Sequence, residues 1–329
     1  MGNIVLLDDL TINQIAAGEV IERPANVVKE LVENSIDAGA NKITIEIKNG
    51  GKTFIKVVDN GKGMEQDDMF LSLERHATSK IKNIEDLENN YTMGFRGEAM
   101  ASIASISKLI LASKTKNMLS GTKITAKAGE IQEKEECAMS TGTSVIVEDL
   151  FFNTPVRYKF LKQDATESKY IKNWVQKAAL ANTNISFGLY IDGKQVFKST
   201  GNGKIEDIIY ILYGKQIQEN IIKVDYKYNN MKVTGVIGNT LVSRDNRNGQ
   251  IIFLNKRNIK NSILANSIDQ AFKGGVGIGK YGFCILNLEI PANLYDVNVH
   301  PTKMDVRFKS EEEIYRLMYH AIKESLLNY

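Results

Sequence analysis

The sequence predicts an α+β chain made of two α/β parts, and three observations carry that prediction. A helical stretch over 24–38 runs into an alternating, glycine-turned pattern over 42–58, the signature of a helix followed by a β-hairpin. Strand-like runs at 107–115, 121–128, 130–137 and 143–149 follow one another with turn signals at Ser120-Gly121 and Thr141-Gly142. That order favours a two-layer sandwich with a largely antiparallel sheet over a doubly wound parallel one. Gly201-Asn202-Gly203 is the clearest linker signal, so the first domain is predicted to span 1–203 and the second 204–329.

The first helix is punctuated at both ends. Pro24 suits a first helical turn and Gly39 the position just past the last one. Val28, Leu31, Val32 and Ser35 share one face, while Glu30, Asn34 and Asp37, at i, i+4 and i+7, form a stripe on the other side. By spacing alone, that stripe reads as an ordinary solvated face. In the hairpin, Lys42 to Lys48 alternates apolar and polar residues, Asn49-Gly50-Gly51 is the turn, and Lys52 to Val58 is again β-rich. Its second strand ends in Asp59-Asn60-Gly61-Lys62-Gly63-Met64, a carboxylate followed by two glycines that let backbone approach a ligand closely. An acidic turn has the same look.

A helix is predicted over 64–73, and after it a polar, asparagine-rich segment lies between glycine-bounded helices, an arrangement that can move. His76 within it has no partner histidine or carboxylate in pattern and is not assigned as an acid or base. Gly94-Phe95-Arg96-Gly97-Glu98-Ala99 feeds a helical run over 100–106. Glycines at a helix N-terminus offer unpaired N–H groups and a favourable dipole to phosphate. The stretch is neither a Walker P-loop nor a Rossmann fingerprint, since GxxxxGK[ST] and GxGxxG are both missing from it. A long helix is predicted over 166–181 and strands over 185–191 and 194–198. The second domain is predicted to hold strands at 221–228, 231–238, 250–255 and 281–290 with helices near 204–213, 262–273 and 310–327.

Composition sets bounds. The chain has 329 residues, 43% hydrophobic and 25% charged, enough for two sizeable cores. Cys137 and Cys284 are far apart, so neither a disulfide framework nor a structural zinc site is indicated. No apolar run approaches ~18 residues and no signal-peptide pattern opens the chain, which predicts a cytoplasmic protein. A net charge of +3 is too small to argue nucleic-acid binding, so distribution matters instead. Arg244, Arg247, Lys256, Arg257 and Lys260 fall in a loop-rich stretch against a single acid, Asp245, which suits backbone phosphate contact without base readout. A second group, Arg157, Lys159, Lys162, Lys169, Lys172 and Lys177, is scattered by helical spacing and reads as a solvated face.

Taken in order, Glu30 with Asn34 and Asp37-Ala38, then DNGKGM at 59–64, then GFRGEA at 94–99, then Gly142-Thr143 before a strand resemble the four motifs of the gyrase, heat-shock chaperone, histidine kinase and MutL ATPase superfamily. GFRGEA, together with Asn13 to Val20 (NQIAAGEV) and Asn298 to Lys303 (NVHPTK), narrows the resemblance to the MutL family of DNA mismatch repair proteins, across essentially the whole chain. A gyrase-type topoisomerase subunit would share Glu30, Asn34 and Asp59 but is not expected to carry GFRGEA. A noncatalytic nucleotide-binding scaffold would be favoured only if Glu30 were missing.

The resemblance implies a Bergerat-type ATP-binding fold with residues 75–97 as its lid, followed by a domain of the ribosomal-protein second-domain type. It implies ATP and Mg²⁺ as cofactors, with Glu30 activating water, Asn34 on the metal, and Lys303 reaching the γ-phosphate. Asp59 and Thr143 would form the polar floor under adenine, and Asp37, Gly61, Gly63 and Met64 would shape that pocket. Thr78, Ser79, Lys80 and the Gly94, Phe95, Arg96, Gly97, Glu98, Ala99 segment would surround the phosphates. The segment 10–20, read as a short helix, would help form an ATP-dependent homodimer. DNA held nonspecifically, a mismatch-recognition protein of the MutS type and a downstream repair nuclease or helicase are the implied partners. Asn261 and Ser262 make the second domain less basic than the family pattern, and because the sequence stops at Tyr329 without the C-terminal dimerisation or nuclease region that many family members carry, the resemblance implies an N-terminal fragment.

Overall fold

The computed structural model describes residues 17–18, 20–74, 98–296 and 306–329. The predicted lid, most of segment 10–20, and Lys303 with its NVHPTK string therefore lie outside the described residues. Two compact units emerge. Among the described residues, the first takes those up to 74 together with 98–176 and 184–202, and the second takes 177–183, 203–296 and 306–329. Among the described residues, no helix is long and apolar enough to cross a membrane.

In the first unit, helix α1 (Pro24–Asp37) begins where Asn26 Oδ1 accepts the N–H groups of Arg23 and Glu22, so orphan donors at the helix start are satisfied by a side chain. It ends where Gly39 takes φ 75°, a conformation that suits glycine just past a helix. Strands β1 (Lys42–Lys48) and β2 (Phe54–Asp59) form the hairpin. There follow α2 (Gln66–Leu73), α3 (Ala99–Ser105), β3 (Lys108–Lys114), β4 (Gly121–Lys127), β5 (Glu130–Cys137), β6 (Gly142–Glu148), α4 (Pro155–Phe160), α5 (Asp164–Ala181, of which 164–176 belong to this unit), β7 (Ser186–Ile191) and β8 (Lys194–Lys198). The sheet runs β5-β4-β3-β6-β2-β1-β7-β8, antiparallel except where β1 meets β7.

Register decides what the sheet presents. Ile45, Val57, Val145, Leu111 and Ile124 line up across five strands, as do Ile47, Ile55, Val147, Leu109 and Ala126, and all ten are buried. Val27, Val28, Leu31 and Val32 of α1 and Ile171 and Val175 of α5 are buried in the same unit. One edge strand, β5, is exposed along almost its whole length and carries Glu130, Glu133, Lys134, Glu135 and Glu136, charges that keep an edge from recruiting another strand.

Several boundaries differ from expectation, and two of the differences carry a physical reason. Helix α2 starts at Gln66 instead of residue 64, because Gly63 has φ 73° and the Met64 N–H is taken by Ser113 Oγ at 2.8 Å. The run predicted as one strand over 281–290 is split into β14 (Tyr281–Gly282) and β15 (Cys284–Glu289), with Phe283 between them wholly buried. The six-residue α4 had no periodicity long enough to announce it.

In the second unit, α6 (Ile205–Tyr213) and α7 (Lys215–Gln218) precede β9 (Ile221–Tyr228), β10 (Met231–Gly238), β11 (Ser243–Arg244), β12 (Gln250–Leu254) and β13 (Arg257–Ile259). Helix α8 (Ser262–Phe272) comes before β14 and β15, and the pair β16 (Tyr295–Asp296) and β17 (Arg307–Phe308) precedes α9 (Glu311–Leu327). The main sheet runs β13-β12-β15-β10-β9. Its core joins Val224, Val233, Ile252, Leu286 and Leu288 from the strands to Leu264, Ile268 and Phe272 of α8 and Leu317, Met318 and Ile322 of α9. Asn261 caps α8 by accepting the N–H groups of Ile263 and Leu264.

Candidate functional site

At one end of the first sheet the apolar rows give way to a polar one. Asp59 of β2 pairs with Thr143 of β6, Thr143 with Ser113 of β3, and Ser113 with Thr122 of β4. Side chains two apart along a strand share a face, so this row lies on the same face as the buried Val57, Val145, Leu111 and Ile124. The Asp59 carboxylate sits where that face meets α1. Its Oδ2 accepts from the Ser35 hydroxyl at 2.8 Å and its Oδ1 from the Gly61 N–H at 2.8 Å. Burial raises the Asp59 pKa, and hydrogen bonds from Gly61, Ser35 and Thr143 pull it part of the way back.

Glycines hold the turn after Asp59 against its neighbours. A Cβ on Gly61 would lie 2.9 Å from both Cβ and O of Ala38, and one on Gly63 would lie 2.1 Å from the Lys114 carbonyl oxygen. Asn60 clamps the adjoining strand, its Oδ1 accepting from the N–H groups of Asn41 and Lys42. Ser113 ties Met64 to the row by accepting its N–H, and its oxygen lies 3.1 Å from both Gly142 O and Thr143 Oγ1. The result is a backbone-lined floor with one carboxylate acceptor and hydroxyls beside it. That donor and acceptor set fits a purine ring with an exocyclic amine.

Glu30, Asn34 and Asp37 do share one side of α1, but all three are half-buried, so the fully solvated stripe expected from spacing alone is not what forms. Glu33, between them, is buried at 5% exposure. Lys29 Nζ lies 2.7 Å from Glu30 Oε1 and 3.2 Å from Glu33 Oε2. Burial opposes the charge on Lys29, but the two carboxylates outweigh it and raise its pKa. Glu98 and Ala99 open α3, where the Ser102 N–H is donated to Glu98 O at 2.8 Å. Thr78, Ser79, Lys80, Gly94, Phe95, Arg96, Gly97 and Lys303 lie outside the described residues.

The basic stretch of the second unit is less bare than its local sequence implied. Asp269, from α8, holds Arg247 through Nε at 3.0 Å and Nη2 at 2.6 Å, and the stretch's own acid, Asp245, pairs with Lys280. Counting acids within 244–260 misses Asp269, which the fold brings in from outside. Arg244 lies over the Tyr213 ring at 5.7 Å, whereas Lys256 and Lys260 are exposed and Arg257 is half-buried on β13. Lys177, expected on a solvated face, is instead half-buried, and its Nζ donates to Asn258 Oδ1 at 3.0 Å. Burial lowers its pKa and the Lys260 ammonium adds to that.

Sequence reasoning passed over Ser35, Ser113, Asn60 and Lys29. Ser35 left one usable signal, a hydroxyl on an otherwise apolar helical face. Ser113 left none, because its role depends on pairing across three strands.

Residues 21–155 match a family model for histidine kinase-, DNA gyrase B- and HSP90-like ATPases, and residues 209–327 match one for the DNA mismatch repair protein C-terminal domain. The chain is 47% identical over 326 residues to the DNA mismatch repair protein MutL of Caldanaerobacter subterraneus subsp. tengcongensis, covering 99% of this chain and 55% of that protein. It is 44% identical over 329 residues to the MutL of Clostridium perfringens strain 13, covering 100% of this chain and 49% of that one. The chain thus spans about half the length of the curated relatives it matches. Among solved structures, the N-terminal domain of a DNA repair protein superposes with a TM-score of 0.80 at 27% identity, covering 96% of this chain and 98% of the other. The Aquifex aeolicus MutL ATPase domain complexed with ADP gives 0.65 at 27% identity, with 91% and 98% covered. Matches to an ATPase-type family model and then to a mismatch repair one, with nearly all of this chain aligned to such relatives, assign it to the MutL family of DNA mismatch repair proteins.

Proposed function

We propose that the chain is the ATP-driven switch of a mismatch repair protein. In this reading it binds Mg-ATP between α1 and the polar row, closes residues 75–97 as a lid, and associates with a second copy through segment 10–20. Slow hydrolysis then resets it, and DNA is held through its phosphates without base readout. The observation that supports this most directly is the polar row itself, a carboxylate and hydroxyls on the helix-covered face of an otherwise apolar sheet.

Asp59 accepts from the adenine amine and Thr143 completes the floor, while Gly61, Gly63 and Met64 bring backbone close and Asp37 fixes the end of α1. Residues 78–80, Gly94 to Gly97 and the start of α3 at Glu98 and Ala99 surround the phosphates with N–H donors. Water is a poor nucleophile, so Glu30 accepts its proton or orients it. Asn34 offers an amide oxygen to magnesium, which when bound offsets phosphate charge. Lys303 pairs with the γ-phosphate. The ADP complex of the Aquifex aeolicus relative supports a nucleotide at this fold.

DNA phosphates are met chiefly by Lys256, Lys260, Arg257 and Arg244, with Arg247 contributing less because Asp269 already holds it. Two like charges at Lys177 and Lys260 favour an anion beside them. A MutS-type recognition protein and a downstream nuclease or helicase are the expected partners, in a cytoplasmic setting.

Single-turnover hydrolysis by Glu30→Ala tests the reading. Nucleotide binding is expected to persist while turnover falls on the order of 10²- to 10⁴-fold. Hydrolysis at the parent rate would remove Glu30 from the mechanism.

A further inference from the structure

Consecutive side chains on a helix diverge by about 100° and do not normally face each other. Lys29 and Glu30 nevertheless meet at 2.7 Å, and the same ammonium lies 3.2 Å from Glu33 Oε2 one turn on. The side chains of Lys29, Glu30 and Glu33 are 25%, 19% and 7% exposed, so the three charges are largely shielded from water. One cation therefore serves two carboxylates, and one of the two is the group assigned to the attacking water.

We propose that Lys29 is a positioning residue for hydrolysis: it restrains the Glu30 carboxylate, and Glu33 sets how much of the ammonium Glu30 receives. The proposal rests on the reading of Glu30 as the hydrolytic carboxylate. An oxygen already accepting a charge-assisted hydrogen bond is a weaker acceptor for a water proton and is held toward the ammonium. Glu33, the less exposed carboxylate, loses more if left without a countercharge. When the ammonium moves wholly onto Glu33, Glu30 turns to the water. Hydrolysis is slow while Glu30 keeps its share, which suits a switch whose nucleotide-bound state must last.

The two flanking substitutions have opposite expected signs. Lys29→Met removes the restraint, and single-turnover hydrolysis is expected to rise by about three- to tenfold with nucleotide affinity unchanged. Glu33→Gln leaves the ammonium to Glu30 alone, and hydrolysis is expected to fall by a similar factor. Lys29→Arg, which keeps the charge, is expected to stay near the parent rate. If Lys29→Met does not fold because buried Glu33 loses the ammonium, the double variant Lys29→Met/Glu33→Gln removes both charges and is expected to hydrolyse faster than Glu33→Gln. The pairing is read without nucleotide from the ¹⁵N ammonium resonance of Lys29, expected to be slowed in hydrogen exchange and to shift in both Glu30→Gln and Glu33→Gln. Rates that move in the same direction in Lys29→Met and Glu33→Gln, or a Lys29 resonance indifferent to Glu30→Gln, overturn the proposal. Normal hydrolysis by Glu30→Gln would instead overturn the reading beneath it.

Discussion

Replacing Asp59 by asparagine separates the site's chemistry from its architecture. The carboxylate accepts two hydrogen bonds on two oxygens, from Ser35 and Gly61. An amide keeps one oxygen, which can retain the Gly61 N–H, and turns an NH₂ toward Ser35. The Ser35 hydroxyl lies 3.0 Å from Leu31 O, so it can donate there and accept from the amide, leaving no buried group unpaired. Burial makes the folded chain hold the Asp59 proton more tightly than the unfolded one. The stability Asp59 contributes is therefore fully present below its unfolded pKa and lost as pH rises through the raised folded value. Asp59→Asn escapes that loss, and its stability relative to the parent should rise across that window. Urea unfolding near pH 7 is expected to agree with the parent within about 1 kcal/mol. Binding should change far more. Exchanging a charged acceptor for a neutral one at the adenine amine costs about 1.5–3 kcal/mol, or roughly ten- to hundredfold in affinity for a nonhydrolysable ATP analogue by calorimetry. Unchanged affinity would refute the role of Asp59. A variant destabilised by more than about 2 kcal/mol would refute the account of Ser35.

Three further outcomes can be checked. Gly63→Ala places a Cβ 2.1 Å from the Lys114 carbonyl oxygen at φ 73°, and thermal unfolding should show a loss of about 2 kcal/mol or more. In a salt titration of DNA binding, Lys256→Glu with Lys260→Glu should weaken affinity and flatten the salt slope by about one unit per lost contact, while Arg247→Glu should do less; equal effects would mean that Asp269 does not hold Arg247. Lys303→Ala should stay monomeric by light scattering at analogue concentrations that dimerise the parent, with ADP affinity largely kept, and an identical analogue-induced dimer would exclude Lys303 from the switch.

What could be read from the sequence was whatever is local. Helix α1 and its hairpin were legible because Pro24, Gly39 and Gly50-Gly51 punctuate them and apolar residues recur at helical or strand spacing between. The carboxylate at the end of β2 was legible for the same reason. What stayed hidden is long-range. The start of α2 is set by a hydroxyl 49 residues away at Ser113. Arg247 is neutralised by Asp269, 22 residues on and on another element. The polar row exists only once four strands are in register, which no window along the chain contains.

The parallel pairing of β1 with β7 has a consequence for biosynthesis. Strand β1 can zip to β2 as soon as the hairpin is made, but its other edge is matched by β7, with Lys42 opposite Ser186 and thus 144 residues downstream. At ribosomal speeds of about 5–20 residues per second, that edge waits on the order of ten to thirty seconds for its partner. Ile43, Ile45 and Ile47, all fully buried in the finished fold, belong to the waiting strand. A nascent chain stalled between β2 and β7 is therefore the species from which aggregation should start, and the natural client for a chaperone that shields strand edges.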